Sequence, residues 1–182
     1  MEYLDIVDEQ GQPTGKLISR TLAHTEGIRH RTAHIWIVRK IDGRFQVLMQ
    51  KRAMNKDSFP GKYDTSSAGH IQAGDGPLTS GLRELAEELG IHAKPEDLAF
   101  AGYIHGNFAE EFHGKIFRDN EIAFVYVYQQ PVNIEALVLQ KEEVESVQWF
   151  DLEETYQNCI NHNPQFCAPV PGLEVVRCYL YR

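Results

Sequence analysis

At 182 residues, 42% of them hydrophobic, the chain is long enough to bury one full core, and a single domain over residues 1-182 is expected. Its 26 acidic against 18 basic residues give a formal net charge of -8, which argues against broad contact with nucleic-acid backbone or an anionic membrane. Cys159, Cys167 and Cys178 are an odd set without the spacing of a disulfide framework or zinc site, so reduced thiols in a cytoplasm are expected. The acids among residues Met1 to Asp8, and the lack of any apolar run long enough to span a bilayer, predict neither a signal peptide nor a membrane anchor.

In chain order, the first expected element is an N-terminal hairpin over about residues 2-20. Glu2 to Val7 and Lys16 to Ser19 flank the turn-forming Gly11-Gln12-Pro13-Thr14-Gly15, and a peripheral position is expected for it. His34 to Arg39 and Phe45 to Gln50 read as strands around Asp42-Gly43, a dipeptide whose positive φ angles suit a tight hairpin turn. Lys62 to Ile71 is expected to contain a strand, Leu98 to Ile104 another, and Glu121 to Tyr128 a third, rich in β-branched and aromatic residues. Val144 to Phe150 reads as a late strand, Asp151 as the cap of a helix from Leu152, and Leu173 to Tyr181 as a final short helix. The sheet is thus expected to be mixed or antiparallel. Trp36, Phe124 and Tyr126 are expected in the core, and Phe59-Pro60-Gly61 as a turn.

One helix is marked more sharply than the rest. Pro77 suits a first helical turn, where its missing N–H has no intrahelical partner, and Gly90 offers a left-handed stop. Between them Leu78, Leu82, Leu85 and Leu89 recur at steps of four, three and four, which forms one apolar stripe. Glu84, Glu87 and Glu88 are expected on roughly the opposite side, where three carboxylates at i, i+3 and i+4 repel one another unless a cation sits among them. An isolated acidic face of this kind is most often simply solvated.

The surrounding residues alter that balance. Gly69-His70-Ile71-Gln72-Ala73-Gly74-Asp75 is followed by seven residues and then by Arg83-Glu84-Leu85-Ala86-Glu87-Glu88-Leu89-Gly90-Ile91. Residues 69-91 resemble the Nudix box of the Nudix hydrolase superfamily, with Asp75 standing where the family usually has glutamate. The resemblance implies a Nudix α/β/α sandwich with a mixed β-sheet and a pyrophosphohydrolase that cleaves a diphosphate linkage in a nucleoside diphosphate or a nucleoside diphosphate joined to another group. It implies metal-binding roles for Glu84, Glu87 and Glu88, with Arg83 orienting them. Asp75, one methylene shorter than glutamate, would reach the metal through water or serve the turn instead. Glu121 resembles the acidic residue supplied from outside the box, as a fourth ligand or as the base for the attacking water. All-oxygen ligands favour Mg2+ or Mn2+ over zinc.

Segments outside the box narrow the resemblance. His30 to Ile37, Gln50-Lys51-Arg52 and Lys56 to Asp64 are similar to the branch that holds isopentenyl-diphosphate isomerase and isomerase-like Nudix hydrolases. Isomerases of that branch hold a metal through three histidines and two glutamates, to which His24, His30, His70, Asp119 and Glu121 would correspond as a second site. Their proton-donating cysteine corresponds here to Ala68. The layout also makes Lys51, Arg52 and Lys56 candidate phosphate contacts. Substrate selection is expected in a loop over Gly106 to Asp119. The expected partner is a small-molecule diphosphate, with a homodimer left open. Two other classes stand beside hydrolysis: isoprenoid-diphosphate isomerisation, against which Ala68 counts, and a catalytically weak metabolite-binding regulator, against which the intact glutamates count.

Overall fold

The computed structural model describes residues 2–182. The strands are β1 (Tyr3–Val7), β2 (Pro13–Ser19), β3 (His30–Ile41), β4 (Arg44–Arg52), β5 (Tyr63–Asp64), β6 (Ser67–His70), β7 (Leu98–Phe112), β8 (Lys115–Tyr128) and β9 (Val144–Asp151). The helices are α1 (Arg20–Glu26), α2 (Pro77–Leu89), α3 (Leu152–Ile160) and α4 (Val170–Leu180).

Strand β3 organises the larger sheet. Its second half pairs antiparallel with β4 through the Asp42-Gly43 turn, where both residues adopt positive φ. Its first half pairs antiparallel with β6, and along its other edge it runs parallel to β8, with His30 opposite Glu121. Strand β7 closes one side against β8, and β9 and β5 pair with β4. The seven-stranded sheet is therefore mixed, as expected.

Alternation of side chains sorts this sheet into two faces. Trp36, Val38, Val47, Met49, Val125 and Val127 meet Leu152 and Cys159 of α3 and Leu173 and Val176 of α4. Ile35, Ile37, Leu48, Tyr126 and Tyr128 face the other way, against Leu85 and Leu89 of α2. The result is an α/β/α sandwich. Each fully buried aliphatic side chain contributes about 1.5–3 kcal/mol relative to exposure, so both layers are held by burial on the two faces of one sheet.

Helix α2 begins at Pro77 and stops at Gly90, whose left-handed φ of 69° turns the chain so that the Ile91 N–H reaches the Leu85 carbonyl at 3.1 Å. The apolar stripe faces the core as expected, but it is not evenly buried. Leu85 and Leu89 are fully buried, Leu78 and Leu82 only partly so, and Gly81 takes a deep position. A Cβ on Gly81 would stand 3.5 Å from Ile35, so the helix lies close to β3. Nor is Glu88 on the far side of the helix. Three residues beyond Leu85 a helix is about 60° short of a full turn, which brings Glu88 to the border of the buried stripe; it is 5% exposed.

Three further expectations are corrected. The N-terminal hairpin forms its own two-stranded sheet, but it is not peripheral: Leu4 is fully buried with Ile18 and Ala23, and Asp5 is buried against Arg31. Helix α1 was not anticipated, although Ser19 caps its start by accepting from the Leu22 N–H and left-handed Gly27 ends it. Gly106 to Asp119 is no loop. The β7–β8 ladder continues unbroken from Ile104↔Ala123 to Phe112↔Lys115 and turns at His113-Gly114, both at positive φ. Asp151 caps α3 as expected, accepting from the Glu153 and Glu154 N–H groups at 3.0 Å.

Candidate active site and metal centre

Two clusters of titratable side chains lie around β6. Alternation along this strand directs Ser67 and Gly69 toward α2, while Ala68 and His70, paired with His34 and Thr32, share the opposite face.

On the α2 side, Glu88 accepts from Ser67 Oγ at 2.6 Å, from the Ala68 N–H at 3.2 Å and from Gln50 Nε2 at 3.5 Å. Burial pushes its carboxyl up to about 8, and the Ser67 hydroxyl opposes that rise. Glu84 lies so close to Gly69 that a Cβ there would come within 2.1 Å of its carboxylate carbon. Any larger residue there would displace the Glu84 carboxylate. Burial also raises the Glu84 carboxyl, against the lowering effect of Arg83. Arg83 ties the cluster together: Nη2 donates to Glu84 Oε1 at 2.9 Å and to the His70 carbonyl at 3.0 Å, and Nη1 to Asp75 Oδ2 at 3.1 Å. Asp75 therefore faces Arg83. Glu87 has a side chain 56% exposed and stands 4.0 Å from Arg83 Nε.

The second cluster draws on four elements: His24 from α1, His30 from β3, His70 from β6, and Asp119 and Glu121 from β8. His24 Nε2 and His70 Nε2 are 2.9 Å apart; Asp119 Oδ1 lies 3.6 Å from His30 Nε2 and 3.7 Å from His24 Nδ1. Ligand atoms of His24, His30 and His70 fall within 4.8 Å of one another, as do those of His30, Asp119 and Glu121. His30 Nε2 and Asp119 Oδ1 are buried with no hydrogen-bond partner. Burial lowers all three imidazoles, His24 to about 4, with the neighbouring His30 adding to the effect there, so near neutral pH they offer lone pairs rather than charge. Burial and the Glu121 charge push Asp119 up to about 8. Burial alone would raise Glu121 too, but the hydrogen bond and charge of His34, whose Nε2 is 3.4 Å away, hold it below the usual range.

These orphaned atoms and converging lone pairs fit a divalent cation, which would satisfy together groups that are costly to bury unpaired. His34, Ser67 and Gln50 were not singled out from the sequence. Only their strand parity, read against a known register, could have found them.

Glu121 offers an oxygen within 4.8 Å of ligand atoms of His30 and Asp119, so the fourth expected ligand stands in the histidine cluster. The three basic candidates are each tied to an acid elsewhere: Lys51 to Glu145 at 3.1 Å, Arg52 to Asp64 at 3.1 Å and Lys56 to Glu143. An aromatic group borders the histidines. Phe117 stacks on His24 with centroids 4.3 Å apart, and Phe108, Phe112 and Phe59 continue the contact from the β7–β8 arm to the loop before β5.

Comparison with known proteins agrees with this layout. The family model for the NUDIX domain matches residues 28–166. The chain is 39% identical over 153 residues to an uncharacterized Nudix hydrolase of Clostridium acetobutylicum, covering 84% of this chain and 71% of that one. It is 40% identical over 170 residues to Nudix hydrolase 3 of Arabidopsis thaliana, covering 92% of this chain but spanning only 21% of that longer protein. Among solved structures, a Deinococcus radiodurans protein superposes with a TM-score of 0.68 at 19% identity, covering 98% of this chain and 99% of the other. The NUDIX domain of Shewanella oneidensis NrtR, solved with ADP ribose, gives 0.59 at 15% identity, covering 90% and 99%. These structures share the fold, while the family match spans every residue of both clusters except His24: the chain belongs to the Nudix hydrolases.

Proposed function

We propose that this hydrolase depends on Mg2+ or Mn2+ and cleaves a diphosphate linkage in a nucleoside diphosphate or a nucleoside diphosphate joined to another group. The observation that carries the reading is the buried carboxylate of Glu88, which holds three donors, with the partly buried Glu84 close enough to act on its charge and Arg83 engaging Glu84 alone of the two. A divalent metal bound there would polarise the diphosphate oxygens and lower the pKa of a bound water. In this reading Glu84, Glu87 and Glu88 hold the metal, and Arg83 orients Glu84 through the 2.9 Å contact. Glu88 would take a proton from the attacking water in its ionised form, which the Ser67 hydroxyl and the Ala68 N–H stabilise. The new bond joins the water oxygen to phosphorus, and the phosphoanhydride bond breaks toward the leaving phosphate. Lys51, Arg52 and Lys56 would contact phosphate only by exchanging their present carboxylate partners. The Phe108, Phe112 and Phe117 arm would meet the organic part of the substrate.

The histidine cluster favours a further element of the reading. His24, His30, His70, Asp119 and Glu121 would hold a second metal, as in the isopentenyl-diphosphate-isomerase-like branch, and a site rich in imidazole suits a transition ion better than Mg2+. Ala68, beside His70, has no proton to give, so isomerisation is not expected.

A panel of nucleotide and prenyl diphosphates, each assayed with Mg2+ and with Mn2+, tests the proposal. Metal-dependent hydrolysis of a nucleoside diphosphate derivative is expected, with no interconversion of isopentenyl and dimethylallyl diphosphate above an empty-vector control. Clear interconversion, or hydrolysis that persists in chelator, would overturn it.

A further inference from the structure

The N-terminal hairpin makes contacts that a decorative element would not need. Asp5 of β1 is 7% exposed and Arg31 of β3 8%, and they form an ion pair at 3.0 Å. The same oxygen of Asp5 accepts the Gly74 N–H at 3.0 Å, and the same nitrogen of Arg31 donates to the Asp75 carbonyl at 3.3 Å. The Tyr3 carbonyl accepts the Ala73 N–H at 2.9 Å, and Leu4 bridges to Gln72. Residues 72–74 are thus held by β1, and the Asp75 carbonyl by Arg31, the ion-pair partner of Asp5. From that loop the chain of contacts runs through Asp75 to Arg83, and from Arg83 to Glu84 and the His70 carbonyl.

We infer that Asp5 and Arg31 are positioning residues for the metal-binding carboxylates: the hairpin clamps the loop before α2, and through Asp75 sets the guanidinium that aims Glu84. The physical ground is directional. A buried carboxylate bonded at once to a guanidinium and a backbone amide has one low-energy orientation, and it passes that orientation to the loop. Residues that orient a metal ligand without touching the metal typically alter affinity by about 10–100-fold when removed. The inference rests on the proposed role of Glu84, and its test separates the two.

Mn2+ binding by the full chain is followed by electron paramagnetic resonance, and hydrogen exchange of the Gly74 amide is followed in the metal-free protein. Asp5→Ala is expected to weaken Mn2+ binding by about 10-fold and to speed Gly74 exchange. Asp5→Asn, which keeps an oxygen for the Gly74 amide but loses the ion pair, is expected to fold readily and shift both readouts less. Ile18→Ala, which trims the same small core without touching Asp5, Arg31 or the loop, should lower the melting temperature and leave both readouts at wild-type values. The inference fails if the Asp5 variants bind Mn2+ and protect Gly74 as wild type does, or if Ile18→Ala moves both readouts as far as Asp5→Ala. Absence of Mn2+ binding by the wild type would instead count against the proposed function, and Gly74 exchange would still decide whether the hairpin holds the loop.

Discussion

Ser67 Oγ lies 2.6 Å from Glu88 Oε2, so a hydroxyl on the short β6 strand stabilises the charged form of a carboxylate that burial otherwise holds near its neutral form. Glu88→Gln keeps the shape and helix propensity of the residue but removes the charge. It should fold normally and lose hydrolysis by ~100-fold or more, the usual scale for loss of an electrostatic partner in the transition state. Ser67→Ala should fall between, because the carboxylate remains but its ionised form loses a donor. Steady-state rates and melting curves on both variants decide the point; wild-type rates in Glu88→Gln would leave the acidic helix as scaffold only.

Gly69→Ala isolates the geometry of Glu84. A methyl group at residue 69 would stand 2.1 Å from the Glu84 carboxylate carbon, a distance that requires the carboxylate to move. The neighbouring atoms are the end of a flexible side chain, so the fold should survive. Activity should fall at least tenfold, roughly 1.4 kcal/mol of transition-state stabilisation, with half-saturating Mg2+ or Mn2+ rising in parallel. Unchanged metal dependence would mean that Glu84 is not held where metal is bound.

The metal-free protein should show opposing pH dependences from its two clusters. His24 is lowered from 6.5 to about 4, so the folded state binds its proton less tightly than the unfolded chain. Its contribution is present above pH 6.5 and is lost as pH falls toward about 4. Glu88 is raised from 4.5 to about 8, so its contribution is present below pH 4.5 and is lost as pH rises toward about 8. Urea unfolding in chelator should therefore give His24→Asn a flatter acid limb and Glu88→Gln a flatter limb on the neutral side. Each difference is bounded by roughly 1.4 kcal/mol per pH unit for one proton. Identical curves for wild type and both variants would show that neither group carries the shift.

Where the determinants were local, the amino-acid sequence decided them by itself. Pro77 and Gly90 bracket α2 because one lacks the N–H that a first turn leaves unpaired and the other tolerates left-handed φ; Asp42-Gly43 sets the β3–β4 turn for the same backbone reason. The spacing of Glu84, Glu87 and Glu88 is likewise a property of one helix. Register and strand parity are not local. Whether Glu88 faces solvent or Ser67 depends on how α2 rolls against β3, which Gly81 allows by letting the two approach. Whether residues 106–119 form a loop or a ladder depends on β8 being present to accept the hydrogen bonds. The histidine cluster depends on the parallel pairing of β3 with β8, which sets His30 opposite Glu121, and on α1 carrying His24 across to His70. Such convergence joins residues as far apart as 24 and 119, and only the tertiary packing of the sheet brings His24 Nδ1 to 3.7 Å from Asp119 Oδ1.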